Sequence, residues 1–189
     1  MRVIAGSARG RVLRSPPKGR RGEQPATRPT SDLVRGVIFD MLDAMGADYT
    51  RVLDLYAGTG ALGIEALSRG DGVADFVESD PRAAGVIRAN LALTGFTARA
   101  MVHAGSAERA AALLSGPYTL VLADPPYDDV AAVEAVARIA ASPLVDRGTV
   151  LALEHGRRTP PAGALGLLKL YRTRTHGDTA VSIYRAGNE

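Results

Sequence analysis

Val52-Leu53-Asp54-Leu55-Tyr56 runs without interruption into Ala57-Gly58-Thr59-Gly60-Ala61-Leu62-Gly63. A short apolar run, two glycines one residue apart and a helix-forming segment together spell strand, tight turn and helix. Gly58 and Gly60 allow the positive φ and the close backbone approach that such a turn requires, so a ligand can rest on the main chain at a helix N-terminus. Downstream of this unit the chain alternates. Apolar strands are predicted at 52–56, 74–78, 100–103, 118–123 and 149–153, separated by stretches rich in alanine and leucine. Alternation of this kind builds right-handed βαβ units, hence a parallel sheet with helices on both faces. Asp80 followed by Pro81 marks a helix start, with Asp as N-cap and Pro at the first helical position, and Gly95 marks its stop. Upstream of the glycine turn, from Ser31, the positions Leu33, Val34, Val37, Ile38, Met41, Leu42 and Met45 recur at helical spacing. After the fifth strand the rhythm breaks. Residues 167–174 and 179–185 read as strands joined by Thr175-His176-Gly177-Asp178, a connection too short for a crossover helix, so they must pair antiparallel.

The N-terminal segment is of another kind. Residues 1–14 read as a hairpin, with Val3, Ile4, Val12 and Leu13 among arginines, and residues 15–29 carry four prolines and read as a loop. The chain therefore divides into a basic hairpin and loop at 1–30 and a main domain at 31–189. A net charge of +3 conceals an asymmetry: residues 1–35 hold nine Lys/Arg against Glu23 and Asp32, and residues 36–189 hold fourteen against eighteen acids. A basic arm on an acidic body suggests a polyanionic partner, because Lys and Arg release condensed counterions when they meet phosphates. Arg2, Arg9, Arg11, Arg14, Lys18, Arg20 and Arg21 are the nucleic-acid-binding candidates, the bland reading being a solvated charged tail. With no cysteine there is no disulfide, no thiolate metal site and no cysteine nucleophile, and with only His103, His155 and His176 no metal is expected. No apolar run approaches the ~20 residues of a membrane span, and no secretory signal opens the chain. A cytoplasmic monomer without a membrane partner is expected.

The glycine turn alone does not choose a cofactor. Gly58, Gly60 and Gly63 match a dinucleotide fingerprint, and Glu78 lies twenty residues after Gly58, where a ribose-binding acid is expected. Three features favour S-adenosylmethionine over a nicotinamide. Asp54, within the strand, can face a cationic methionine amine but would crowd a pyrophosphate. The terminal antiparallel hairpin departs from the all-parallel dinucleotide fold, so the fold class is α/β: a Rossmann-like, seven-stranded class I methyltransferase domain with a small N-terminal hairpin. The third feature is Asp124-Pro125-Pro126-Tyr127. The cofactor-binding candidates are Asp54, Tyr56, Ala57, Gly58, Gly60, Glu78 (for both ribose hydroxyls), Ser79, Ser106, Ala107 and Asp124, with Gly105-Ser106-Ala107 beside the adenine.

The tetrapeptide follows the apolar run Leu120-Val121-Leu122-Ala123, at the carboxyl edge of the sheet beside the glycine turn. An exocyclic base amine is a poor nucleophile because its lone pair is delocalised into the ring. Asp124 and a main-chain carbonyl, that of Pro125, can each accept one N–H and turn the lone pair toward a methyl group. Consecutive prolines fix φ and lack donors, so their carbonyls are held as acceptors. Tyr127 offers a flat face to an extruded base. Asp124, Pro125, Pro126 and Tyr127 are the catalytic candidates. By itself the tetrapeptide suits adenine N6 or a glutamine amide equally well, and a catalytically silent RNA-binding assembly factor is the alternative of another class.

With these residues in view the chain resembles the RsmD family of 16S ribosomal RNA guanine-N2 methyltransferases over nearly its whole length. The likeness rests on Met1-Arg2-Val3-Ile4-Ala5-Gly6, Arg9-Gly10-Arg11, Arg28-Pro29-Thr30 and the run Asp54 to Gly63. It continues through Glu65-Ala66-Leu67-Ser68-Arg69-Gly70, Glu78, Asn90 and Asp124-Pro125-Pro126-Tyr127. The resemblance implies methylation of a guanine N2 in 16S rRNA, with a partly assembled small ribosomal subunit as partner. It also implies that the segment holding Arg28 and Thr30 closes over the methyl-donor pocket. Ser106 departs from the family's usual Asp after Gly105, and the 18–24 loop looks longer and more basic than usual.

Overall fold

The computed structural model describes residues 1–15, 32–126 and 129–187. Helix α1 (Asp32–Ala44) precedes strand β1 (Arg51–Leu55), α2 (Ala61–Arg69), β2 (Val73–Glu78), α3 (Pro81–Thr94), β3 (Ala100–Ala104), α4 (Ala107–Leu113), β4 (Leu120–Ala123), α5 (Val130–Ala140) and β5 (Val150–Gly156). Three antiparallel strands complete the chain: β6 (Ala164–Leu165), β7 (Leu168–His176) and β8 (Thr179–Ala186). The sheet order is β3-β2-β1-β4-β5-β8-β7-β6, with β1 to β5 parallel. Strand β8 inserts between β5 and β7 and runs against both.

Burial on both faces explains why β4 reads as an unbroken apolar run and why Asp54 alone interrupts the buried part of β1. On one face Val52, Leu120, Leu122, Ala152, Val181 and Ile183 pack with α1, α2 and α3; on the other Leu53, Leu55, Val121, Leu151, Leu153 and Tyr184 pack with α5. The predicted start and stop of α3 are present. Asp80 accepts the Arg82 N–H at 2.9 Å, and Gly95 adopts φ 81° and donates back to Ala92.

Two features depart from expectation. The sheet has eight strands, not seven, because Ala164–Leu165 pairs with Leu168–Lys169 through a tight turn at Gly166. Two residues carry no periodicity, so only the pairing reveals that strand. The β7–β8 strands also close through Gly177-Asp178 alone, since His176 already pairs with Thr179.

The N-terminal hairpin forms around an Arg2–Val12 bridge, and it is not a detached arm. Val3, Ala8 and Leu13 are buried in the same core as α1 and α2. The Ile4 and Ala5 amides donate to Glu65 at 2.8 and 2.9 Å, and the Ala8 amide donates to the Ser68 hydroxyl. Gly6 makes this docking possible: its φ is +79°, and a Cβ there would lie 1.7 Å from the Ser68 carbonyl oxygen. Arg35, counted with the basic arm in the sequence, is fully buried. It donates to the Arg2 carbonyl, pairs with Asp32 at 3.0 Å and lies 3.7 Å from Glu65.

Candidate active site

The parallel strands end along one edge, and the sequence candidates gather there. At the exit of β1, Tyr56 takes a left-handed φ of 58°, unusual for a residue with a side chain, and its hydroxyl donates to the Ala132 carbonyl at 3.2 Å. Gly58 (φ 55°) and Gly60 (φ 77°) shape the turn, and Gly60 caps α2 in the left-handed region. Glu78, at the end of β2, holds this turn from the side. One carboxylate oxygen accepts the Gly58 N–H at 2.7 Å and the other accepts the Asp80 N–H at 2.8 Å. A carboxylate oxygen accepts two hydrogen bonds, so the oxygen facing Gly58 keeps capacity for a ligand hydroxyl, while the one facing Asp80 also accepts from the Ser79 hydroxyl at 3.5 Å.

Asp54 is 1% exposed. One oxygen accepts the Gly63 N–H at 2.8 Å, and the other has no hydrogen-bond partner among the described residues. Burial pushes its pKa well above the usual carboxylate range; the Gly63 bond opposes this, and the negative charges of Asp124 and Glu78 add to it. The negative charges of Asp124 and Glu78 thus act on Asp54, and a ligand carrying positive charge beside it would relieve that repulsion.

Beside the turn lies a cavity of about 210 Å³ lined by Tyr56, Val77, Ser79, Gly105, Ser106, Ala107, Glu108, Asp129 and Ala132. Sequence reasoning named Tyr56, Ser79, Ser106 and Ala107 here and missed Glu108 and Asp129. Asp129 was legible as a helix start, since it caps α5 by accepting the Ala132 N–H at 3.1 Å. Glu108 was not singled out, although it stands one position into α4 after Ser106. Its hydrogen bond from Ser106 holds its carboxyl below the ordinary range.

Asp124 leaves β4 half-buried, followed by buried Pro125 and exposed Pro126. The Pro126 carbonyl accepts the Asp129 N–H at 3.1 Å. Among the described residues, the Pro125 carbonyl accepts no backbone hydrogen bond in this turn. Tyr127, Arg28, Thr30, Lys18, Arg20 and Arg21 lie outside the described residues. Arg2, Arg9, Arg11 and Arg14 are exposed on the hairpin.

Asn90, on α3, is fully buried and joins that hairpin to the site. It accepts the Arg14 N–H at 2.7 Å and donates to the carbonyls of Arg14 and of Thr59, inside the glycine turn. The hairpin is far from the turn in sequence and adjacent to it in space.

Insertion of the reversed strand β8 next to the parallel β1–β5 separates this architecture from dinucleotide-binding domains and defines a class I methyltransferase. Within that class, the chain belongs to the family described as "Conserved hypothetical protein 95", whose profile matches residues 1–185. The YlbH protein of Bacillus subtilis is 36% identical over 188 residues, 98% of each chain. "Ribosomal RNA small subunit methyltransferase D" of Escherichia coli K12 is 32% identical, covering 98% of this chain and 89% of its own. The solved structure of yhhF from E. coli matches with a TM-score of 0.82 at 29% identity, covering 100% of this chain and 99% of that one.

Proposed function

We infer that the chain transfers a methyl group from S-adenosylmethionine to the exocyclic N2 of a guanine in 16S rRNA of the small ribosomal subunit. The observation that carries this reading is the buried Asp54 carboxylate, one oxygen unpartnered, facing the charges of Glu78 and Asp124 beside the glycine turn. A group of acids whose mutual repulsion a cation would relieve fits a donor bearing an ammonium and a sulfonium. Asp54 would hold the amine, Glu78 the ribose hydroxyls, and Tyr56, Ser79, Ser106 and Ala107 the adenine end, with the Ala57–Gly60 backbone beneath. When bound, the donor supplies an electrophilic methyl group.

Asp124 and the Pro125 carbonyl would each accept one N–H of the base amine and so direct its lone pair out of conjugation, in a site set before substrate arrives. Pro126 stiffens the turn and Tyr127 would stack on the base. The substrate is ribosomal RNA inside a partly assembled subunit, held in part by the exposed arginines of the hairpin. The protein acts as a cytoplasmic monomer. Guanine is carried by the family likeness, since the tetrapeptide suits other amides and amines.

The test offers radiolabelled methyl donor with small subunits from a strain lacking the enzyme, free rRNA, DNA and release factors, followed by mass spectrometry of the product. N2-methylguanine in the subunits is expected. Label in adenine N6 or in glutamine would overturn the assignment, and equal rates on free rRNA and subunits would overturn the subunit.

A further inference from the structure

The acidity of the main domain is not uniform. Residues 36–156 hold eight Lys/Arg against sixteen acids, whereas residues 157–189 hold six, Arg157, Arg158, Lys169, Arg172, Arg174 and Arg185, against Asp178 and Glu189. We propose that the exit of β5 and the β7 edge form a second phosphate-binding rim, which grips the RNA strand on the flank of the target base. The proposal rests on the RNA substrate inferred above and adds a surface that the basic N-terminal segment does not include.

Placement is the first argument. Strand β5 runs parallel to β4, so Gly156 leaves the sheet on the same edge as Asp124. Gly156 pairs with Thr179 and Thr179 with His176, which brings the β7–β8 tip to that edge as well. The Arg157 amide donates to the Asp178 carbonyl at 2.8 Å and pins the Arg157-Arg158 turn against the tip. Strand β7 stands three positions from β4. At about 4.8 Å per strand Arg157, Arg158 and Arg174 lie roughly 5–15 Å across the sheet from Asp124, whereas Arg172 stands two residues, and Lys169 and Arg185 four residues, back along the strands toward the opposite edge. An RNA strand rising ~3.4 Å per stacked nucleotide covers that distance in a few nucleotides.

Exposure and charge are the second. Residues 169–176 of β7 are all exposed, and outer pairing by β6 stops at Lys169. Among the described residues, none of the six cations makes an ion pair, a property they share with Arg51, Arg82, Arg88 and Arg109 but not with Arg35, Arg69, Arg99 and Arg138. Arg172 and Arg185 lie over the half-exposed Tyr171 ring, 5.7 and 3.9 Å from its centre. Positive charge on an edge strand also deters sheet-to-sheet aggregation. That cause alone would apply equally to the opposite edge, yet β3, Ala-Met-Val-His-Ala, carries no Lys or Arg. It would not place Arg157 and Arg158 off the strand either.

The experiment compares wild type with Arg157→Ala/Arg158→Ala/Arg174→Ala, the corresponding triple Lys variant, and Arg88→Ala/Arg147→Ala as a control for bulk charge. Readouts are methyl-donor affinity, kcat and KM on small subunits, and the salt dependence of subunit binding. The alanine triple should keep donor affinity and kcat, raise KM about tenfold, and lose about 0.7 from the salt slope per phosphate contact removed. The lysine triple should restore most of the slope, and the control should leave KM within about twofold. If wild type methylates subunits and the alanine triple matches it in KM and slope, the rim is refuted while the enzyme assignment stands. A control that loses as much per charge also refutes it. Wild type that neither binds nor methylates subunits would instead overturn the function on which the rim depends.

Discussion

Replacing Asn90 with alanine should loosen two distant parts of the chain at once. Its side chain makes three hydrogen bonds, at 2.7 and 3.1 Å to the Arg14 backbone and 2.9 Å to the Thr59 carbonyl. The Thr59 carbonyl is buried, and leaving it without a donor costs about 1–3 kcal/mol. The Arg14 groups are only partly buried, and each lost bond there costs about 0.5–1.5 kcal/mol. The sum is roughly 2–6 kcal/mol, and at about 2–4 °C per kcal/mol for a chain of this size Tm should fall about 4–24 °C. Because Thr59 lies between the two turn glycines, methyl-donor affinity should fall as well, tenfold for each ~1.4 kcal/mol felt at the turn. Calorimetric unfolding and donor titration measure the two effects separately. Asn90→Asp adds a sign test. The new carboxyl would be buried against two carbonyl oxygens, which raises its folded pKa. Its protonated form is then favoured in the folded state, so stability should fall as pH rises above the unfolded value of about 4 and level off above the folded one. An alanine variant melting within about 1 °C of wild type with unchanged donor affinity would refute the link between hairpin and turn.

Asp54 should make donor binding pH-dependent: its raised pKa favours the neutral form in the empty site, so affinity should weaken as pH falls below that pKa and strengthen as pH rises through it. Titrations across pH should show a flattened profile and weaker binding in Asp54→Asn. Asp124→Ala should lower single-turnover rates about 10²–10³-fold with donor affinity near normal, as for loss of one preorganised electrostatic group. It should also move the Asp54-dependent midpoint to lower pH, since a neighbouring negative charge is removed; turnover within a few-fold of wild type would remove Asp124 from the chemistry. Gly6→Ala should destabilise well beyond Gly10→Ala, because both have left-handed φ but only the first puts a Cβ into the Ser68 carbonyl. Equal melting points for the two would contradict the close docking of the hairpin.

The strand, turn and helix from Val52 to Gly63 were legible because each step is local: apolar run, glycines, helix formers. The antiparallel end was legible from the length of one connection. What escaped the sequence depends on partners far along the chain. Strand β6 exists only through its pairing with β7. Arg35 reads as one more arm cation until Glu65 and the Arg2 carbonyl are brought to it. Asn90 carries no local signal of a bond to Thr59 thirty-one residues earlier. Averaging charge over 36–189 hid the basic end because the acids of the central strands and helices outweigh it. At the site, Asp54, Glu78 and the glycines announce themselves by spacing, whereas Glu108 enters the cavity through the direction in which α4 leaves β3.

Glu78 has one consequence for anyone redesigning this pocket. Its carboxylate bridges the Gly58 and Asp80 amides without a ligand, so the side chain is a strut as well as a binding group. Its length is thereby fixed: aspartate, one methylene shorter, could not span both amides from the same backbone. Engineering the enzyme to accept donors altered at the ribose should therefore leave Glu78 in place and begin with Ser79, Ser106 and Glu108. All three line the cavity, and of them Ser79 alone touches the strut, its hydroxyl donating to the Glu78 carboxylate at 3.5 Å.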